Sequence, residues 1–167
     1  ATSGDDLIND DAVSCLVADL FPLALVVTPN IPEAERLTGL TITDESGMLQ
    51  AARIIRQMGA RAVLVKGGHL ARRQTADGRR QESGALGTSG DAEQAFDVLD
   101  NEGRVIVFRD ELIAGGEVHG SGCTLSAAIA AGLGRGQNLD EAIQAAKSFV
   151  TEAIRRSPAL GHGARPL

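Results

Sequence analysis

Apolar positions along this chain follow two alternating rhythms. Ala12, Val13, Leu16, Val17 and Leu20 recur at helical spacing behind Asn9, Asp10 and Asp11. Asn9 can cap free amides, and the two acids suit the positive end of a helix. Leu23-Ala24-Leu25-Val26-Val27 is then continuously apolar up to Thr28-Pro29, which predicts a strand buried on both faces. Pro32 suits a first helical position, and residues 33–37 read as a short helix stopped by Gly39. Asp44 caps a helix predicted to reach Met58, with Met48, Leu49, Ala52 and Ile55 facing inward and Gly59 ending it. Ala62-Val63-Leu64-Val65 forms a second buried strand that runs into Lys66-Gly67-Gly68.

A strand, helix, strand order with strands this apolar implies a right-handed crossover and a parallel sheet. Residues 72–94 are polar and Gly-rich, longer than ordinary connections. Ala95 to Leu99 and Val105 to Phe108 flank Asp100-Asn101-Glu102-Gly103 and predict an antiparallel hairpin. His119-Gly120-Ser121-Gly122-Cys123-Thr124 opens an Ala-rich helix through Leu133. Asn138 and Glu141 have capping-box spacing before a last helix to about Arg156, which is expected to bury Ala142, Ala145, Ala146, Phe149, Val150 and Ile154. Neither a repeat nor a domain boundary interrupts residues 1–167, so the fold class is α/β and the chain reads as a single domain.

Composition narrows the function classes. At 43% hydrophobic and 23% charged residues, the chain is globular rather than disordered. A net charge of −6 argues against a general partner for nucleic acid or a membrane surface, both of which select clustered Lys and Arg. The pairs Arg72–Arg73 and Arg79–Arg80 lie among Gly, Ser, Thr and Gln without aromatic residues for base stacking, and read as a solvated loop. Cys15 and Cys123 provide no disulfide framework, and no apolar run is long enough to span a bilayer, so the expected location is the cytoplasm. The opening residues, 1–6, lack an initiator Met and read like a loop between elements, which points to a fragment.

Three segments carry candidate chemistry. Gly120-Ser121-Gly122-Cys123 at a helix start presents free N–H groups with the helix dipole behind them, a site for an anion, and its glycines let a phosphate approach the backbone. A close-packed loop before an Ala-rich helix reads the same way. Asn30 and Glu33 follow a buried strand, where open α/β sheets place ligands, and can hold water around a divalent cation; a helix cap with a first-turn acid is the alternative. Lys66, with Gly67 and Gly68 behind it, puts a cation at the same kind of sheet edge, or is simply an exposed strand-end lysine. Cys123 is either a thiol whose anion the helix start favours or a small packed residue. Cys15, on an apolar helix face, is expected in the core.

Val27-Thr28-Pro29-Asn30-Ile31-Pro32-Glu33-Ala34-Glu35, Val63-Leu64-Val65-Lys66-Gly67-Gly68-His69-Leu70 and His119-Gly120-Ser121-Gly122-Cys123-Thr124-Leu125-Ser126-Ala127-Ala128, in this order and spacing, resemble the successive motifs of the hydroxymethylpyrimidine/phosphomethylpyrimidine kinases of thiamine biosynthesis, within the ribokinase-like superfamily. Ala146-Lys147 fits as well, and the resemblance spans nearly the whole chain apart from residues 72–94. It implies a three-layer α/β/α sandwich with a mostly parallel sheet, of which this chain is the C-terminal portion, with the N-terminal half missing. By the same resemblance, the γ-phosphoryl group of ATP is transferred to a hydroxymethylpyrimidine and then to its monophosphate, with Mg²⁺. Gly120, Ser121, Gly122 and Cys123 would form an anion hole around the migrating group, with Cys123 where the superfamily's base stands. Asn30 and Glu33 would organise Mg²⁺ and phosphate, through water. Lys66 and Gly68 would lie near the nucleotide phosphates, and the last helices, with Lys147, near the nucleotide.

The chain also departs from the family pattern. Ser121 stands where Thr is usual, the Gly161-to-Leu167 tail diverges at its close, and most of the acceptor pocket is absent. The fragment is therefore expected to be inactive alone, to associate with its missing half, and to be a homodimer when complete. Two other readings stand beside this one: a pyridoxal or pyridoxine kinase of the same branch, and a non-catalytic nucleotide-binding fragment. A P-loop kinase is disfavoured, because no Gly-x-x-x-x-Gly-Lys-Ser/Thr run occurs. A thiol hydrolase built on Cys123 lacks the Gly-x-Cys-x-Gly elbow.

Overall fold

Four of the five α-helices described begin at a side-chain oxygen that reaches forward to a backbone amide. Asn9 accepts from the Ala12 amide at 2.9 Å to start α1 (Asp10–Cys15), and Asp44 accepts from Gly47 at 2.7 Å to start α3 (Glu45–Gln57). Asn30 does the same for α2 (Ile31–Thr38), in which Pro32 takes the second helical position, one later than the sequence pattern suggests. Gly39 ends α2 with φ 71°, a left-handed conformation that costs a glycine nothing, and its N–H bonds to the Glu35 carbonyl at 2.8 Å. These contacts come from a computed structural model that describes residues 9–68, 94–111, 113, 118–158 and 165–167. Most of the polar segment 72–94, together with His69, Leu70 and His162, lies outside the described residues. The chain divides into two compact units, residues 1–112 and 113–167.

In the first unit, β1 (Ala62–Lys66), β2 (Gln94–Asn101) and β3 (Arg104–Glu111) form an antiparallel sheet in that order. Asn101 pairs with Arg104 across the hairpin turn. Glu102 (φ 52°) and Gly103 (φ 93°) both adopt positive φ, the geometry whose twist matches two antiparallel strands. Met48, Ala51, Ala52 and Ile55 from α3 pack with Ile31, Ala34, Val63, Val65 and Val98 in one buried cluster. β1 is buried on both faces as its apolar run predicts, with Ala62, Val63, Leu64 and Val65 all at 1% exposure or less.

Leu23 to Val27 departs from expectation. Leu23 closes a 3₁₀ turn (Phe21–Leu23) and is 82% exposed, Leu25 is 46% exposed, and regular strand geometry is absent. An apolar run reports that burial is favourable but not which neighbour supplies it. Parallel pairing with β1 does occur, at the bridges Val27 to Val63 and Asn30 to Lys66. The Val27 N–H donates to Ala62, Leu64 N–H to Val27 and Lys66 N–H to Pro29. The next donor in such a ladder belongs to residue 29, and proline has none, so the pairing breaks into separate bridges. The mostly parallel sheet expected from the sequence is thus not what β1–β3 form. Cys15 also differs from its expected core position: it is exposed, because α1 buries none of its residues.

The second unit contains α4 (Ser121–Gly134) and α5 (Leu139–Arg156). Leu125, Ile129 and Gly132 form the buried stripe of α4. A Cβ at Gly132 would lie 3.0 Å from the Ala142 Cβ, so the absence of a side chain there allows the helices to approach closely. Asn138 and Glu141 make the reciprocal capping box at 3.0 and 3.1 Å. The buried stripe of α5 is Leu139, Ala142, Ile143, Ala146, Lys147 and Val150, rotated from the expected one: Phe149 is 59% exposed and Ala145 is exposed. A two-stranded parallel pair, β4 (Val118–His119) with β5 (Arg165–Pro166), leads into Gly120, and the Ser157 hydroxyl donates to the Pro166 carbonyl at 2.6 Å.

Candidate functional site

Two of the three chemistry-bearing segments meet in the first unit. The chain leaves the Val27 bridge, turns at Pro29 and presents Asn30 opposite Lys66, the last residue of β1. Both segments point the same way along the ladder, so both exits lie at the carboxyl end of the paired strands, the side on which open α/β sheets bind ligands.

Asn30 and Glu33 are locked together. The Asn30 Oδ1 accepts from the Glu33 N–H and a Glu33 carboxylate oxygen accepts from the Asn30 N–H, each at 2.8 Å. The helix-cap role weighed for this pair is therefore real, and it fixes both side chains at the mouth of α2. For a divalent cation the donor chemistry is one carboxylate and one amide oxygen, both engaged in capping. No group of three or more His, Cys, Asp or Glu residues suited to a metal occurs among the described residues. Such a pair fits Mg²⁺, which keeps several waters and takes its other oxygens from phosphates, and does not fit an ion that needs a protein cage.

The two glycines after Lys66 differ in what confines them. A Cβ at Gly67 would collide with the Phe96 carbonyl oxygen and lie 2.7 Å from the Met48 Cε, so packing against β2 and α3 excludes any side chain there. Among the described residues, nothing lies within 4 Å of a Cβ position at Gly68. Of the two, Gly68 is the one a ligand can approach.

In the second unit, Gly120 takes φ 93° and acts as the N-cap of α4. The first helical bond runs from Thr124 N–H to the Gly120 carbonyl at 2.9 Å, so the amides of Ser121, Gly122 and Cys123 precede the helical ladder. Cys123 is exposed, unlike a packed core thiol. Lys147 is 8% exposed, standing on the apolar stripe of α5 rather than on its solvent face.

Asp97 was not legible as a functional residue. It is 7% exposed in the middle of β2, in register with Lys66, and its Oδ1 accepts from the Gly67 N–H at 2.9 Å. The available signal was an acid next to the apolar pair Val98-Leu99 within a strand.

Residues 1–167 match the family model described as phosphomethylpyrimidine kinase. The chain is 45% identical over 170 residues to the hydroxymethylpyrimidine/phosphomethylpyrimidine kinase of Rhizobium meliloti (strain 1021), covering 100% of this chain and 56% of that protein. It is 40% identical over 168 residues to the protein of the same description from Staphylococcus aureus (strain MSSA476), covering 100% and 54%. The chain therefore spans about half the length of these relatives. Among solved structures, an ADP complex of Bacillus subtilis pyridoxal kinase matches with a TM-score of 0.77 at 34% identity, over 96% of this chain and 55% of that one. The Staphylococcus aureus pyridoxal kinase in complex with AMP-PCP and pyridoxal gives 0.79 at 28% identity, over 98% and 54%.

Proposed function

We propose that this chain, which belongs to the phosphomethylpyrimidine kinase family, is the C-terminal, nucleotide-binding and catalytic half of an ATP-dependent kinase of thiamine biosynthesis. Its acceptors are 4-amino-5-hydroxymethyl-2-methylpyrimidine and the monophosphate formed from it. The observation that carries this reading is the backbone bridge between Asn30 and Lys66, which brings the capped start of α2 to the end of the strand that carries the lysine. The complexes of the related pyridoxal kinases with ADP and AMP-PCP support ATP as the donor.

Each residue has a physical task in this reading. Lys66 neutralises nucleotide phosphate charge, and the open backbone at Gly68 admits a phosphate oxygen. Lys147 adds a fixed positive charge for the nucleotide from α5. Glu33 and Asn30 would hold magnesium through water, and the ion would supply further charge neutralisation. The amides of Gly120, Ser121, Gly122 and Cys123 hold the oxygens of the migrating phosphoryl group, at the positive end of α4. The Cys123 thiolate takes the proton of the acceptor hydroxyl as its oxygen bonds to the γ-phosphorus, and the bond from that phosphorus to the β–γ bridging oxygen breaks to leave ADP. A loose transition state of this kind asks chiefly for positioning and charge stabilisation, which suits a modest base.

The rest of the protein would supply the remaining strands of the parallel-sheet sandwich and most of the acceptor pocket. The relatives' greater length and the exposed apolar side chains of Leu23 and Leu25 support that completion. Homodimerisation of the complete protein belongs to the same proposal, as does a cytoplasmic location. No helix among the described residues is long and apolar enough to cross a membrane. The pyridoxal kinase structures favour a second reading in which pyridoxal is the acceptor. Incubating the full-length protein with MgATP and each candidate acceptor, and measuring ADP release and acceptor phosphate, separates the two. Pyrimidine phosphorylation that exceeds pyridoxal phosphorylation is expected. Transfer to neither acceptor overturns the proposal.

A further inference from the structure

We infer that Asp97 is the positioning residue of the Lys66-Gly67-Gly68 turn: its buried carboxylate fixes the turn so that Lys66 and the open backbone at Gly68 face the nucleotide phosphates. The inference deepens the kinase reading and rests on it.

The observations are local to the first unit. Asp97 is 7% exposed, and Val98 and Leu99 beside it in β2 are fully buried. Burying a carboxylate is costly unless its oxygens find donors, so its position in a strand core needs a reason. One donor is the Gly67 amide, at 2.9 Å and buried. This bond begins where the regular ladder stops, because Lys66 is the last residue of β1 and Asp97 its register partner. Partners directly opposite in an antiparallel pair share a face of the sheet, so acid and lysine leave the strands on the same side. The Lys66 N–H is tied on the other flank to the Pro29 carbonyl at 2.9 Å. Gly67 has no room for a side chain, since the Phe96 carbonyl and Met48 occupy that space. Among the described residues, the turn is held by backbone on one side, by packing from behind, and by one side chain at its crest. That side chain is Asp97.

An asparagine at 97 retains an oxygen acceptor for the Gly67 amide, whereas an alanine removes it. In the full-length protein, Asp97→Ala is expected to lower kcat/KM for ATP about tenfold while the KM for the acceptor stays within twofold, and Asp97→Asn to recover to within threefold of wild type. Amide exchange at Gly67 should accelerate at least tenfold in the alanine variant and stay near the wild-type rate in the asparagine variant, with Val63 as internal reference. In a Lys66→Ala background, Asp97→Ala should cost less than twofold further, because the two act as one unit. An unchanged kcat/KM for ATP in Asp97→Ala overturns the inference. So does a loss of the same size in the Lys66→Ala background, which marks a purely structural residue. Should the alanine variant not fold, Asp97→Asn decides: a tenfold loss there, with Gly67 still protected, contradicts the acceptor role. Absence of ATP-dependent transfer by the wild-type protein is a different failure, since it needs no variant and refutes the kinase reading together with this one.

Discussion

Adding one methyl group at Gly67 should cost stability that the same addition at Gly68 does not. At Gly67 the new carbon would meet the Phe96 carbonyl oxygen and, at 2.7 and 2.9 Å, the Cε and Sδ of Met48. Met48 is fully buried in α3, and Phe96 is held in the β2–β3 ladder, so relief requires repacking the core and moving a strand. Overpacking costs about 1–3 kcal/mol in general, and a clash with backbone places Gly67→Ala at the upper end, about 3 kcal/mol. Gly68 lies outside the left-handed region, and its Cβ position meets none of the described residues within 4 Å. Gly68→Ala should therefore be neutral, or stabilising by about 0.4–1 kcal/mol through the unfolded chain. With a urea slope of about 2 kcal/mol per molar, the Gly67 change moves the midpoint by about 1.5 M. The chain contains neither Trp nor Tyr, so unfolding is best followed by far-ultraviolet circular dichroism. A Gly67→Ala protein within about 0.5 kcal/mol of wild type, below the usual cost of overpacking, would refute the packing argument. Equal losses at both glycines would also refute it.

Three further outcomes are expected. Arg56→Met removes the partner that donates from Nε to the fully buried Asp100 at 3.1 Å; because Arg56 is itself a third exposed, the cost should be about 2 kcal/mol, below that of breaking a fully buried pair. Asn138→Ala removes the α5 cap and should cost about 1 kcal/mol, while Asn138→Asp should cost little, both readable as shifts in thermal midpoint. In the full-length protein, iodoacetamide should label the exposed Cys123, as peptide mass spectrometry will locate, and a Cys123→Ala variant should lose phosphoryl transfer while equilibrium binding shows ATP binding retained.

Local chemistry was the legible part of the sequence. Asn9, Asn30, Asp44 and Asn138 cap helices through oxygens that reach three residues ahead, so the whole interaction lies in one short window. The β2–β3 hairpin was legible for the same reason, as its turn is two residues long. The run from Leu23 to Val27 was misread because apolarity cannot tell which side of a segment is covered. Phe149 was misread because a helical stripe shifted by one position fits the same residues almost as well. Of the site, the neighbouring of Asn30 and Lys66 followed from the strand, helix, strand order. The contact from Asp97 to Gly67 spans 30 residues and had no local signature.

Proline at position 29 has a consequence for how this corner is built. Were residue 29 able to donate, the ladder with β1 would close across that level and favour extended geometry in the residues that follow. The ring instead removes one rung from the ladder just before Asn30, whose backbone still bridges Lys66 while its side chain caps the first turn of α2. For want of a single hydrogen atom, the two segments meet at separate bridges where a continuous ladder would otherwise run.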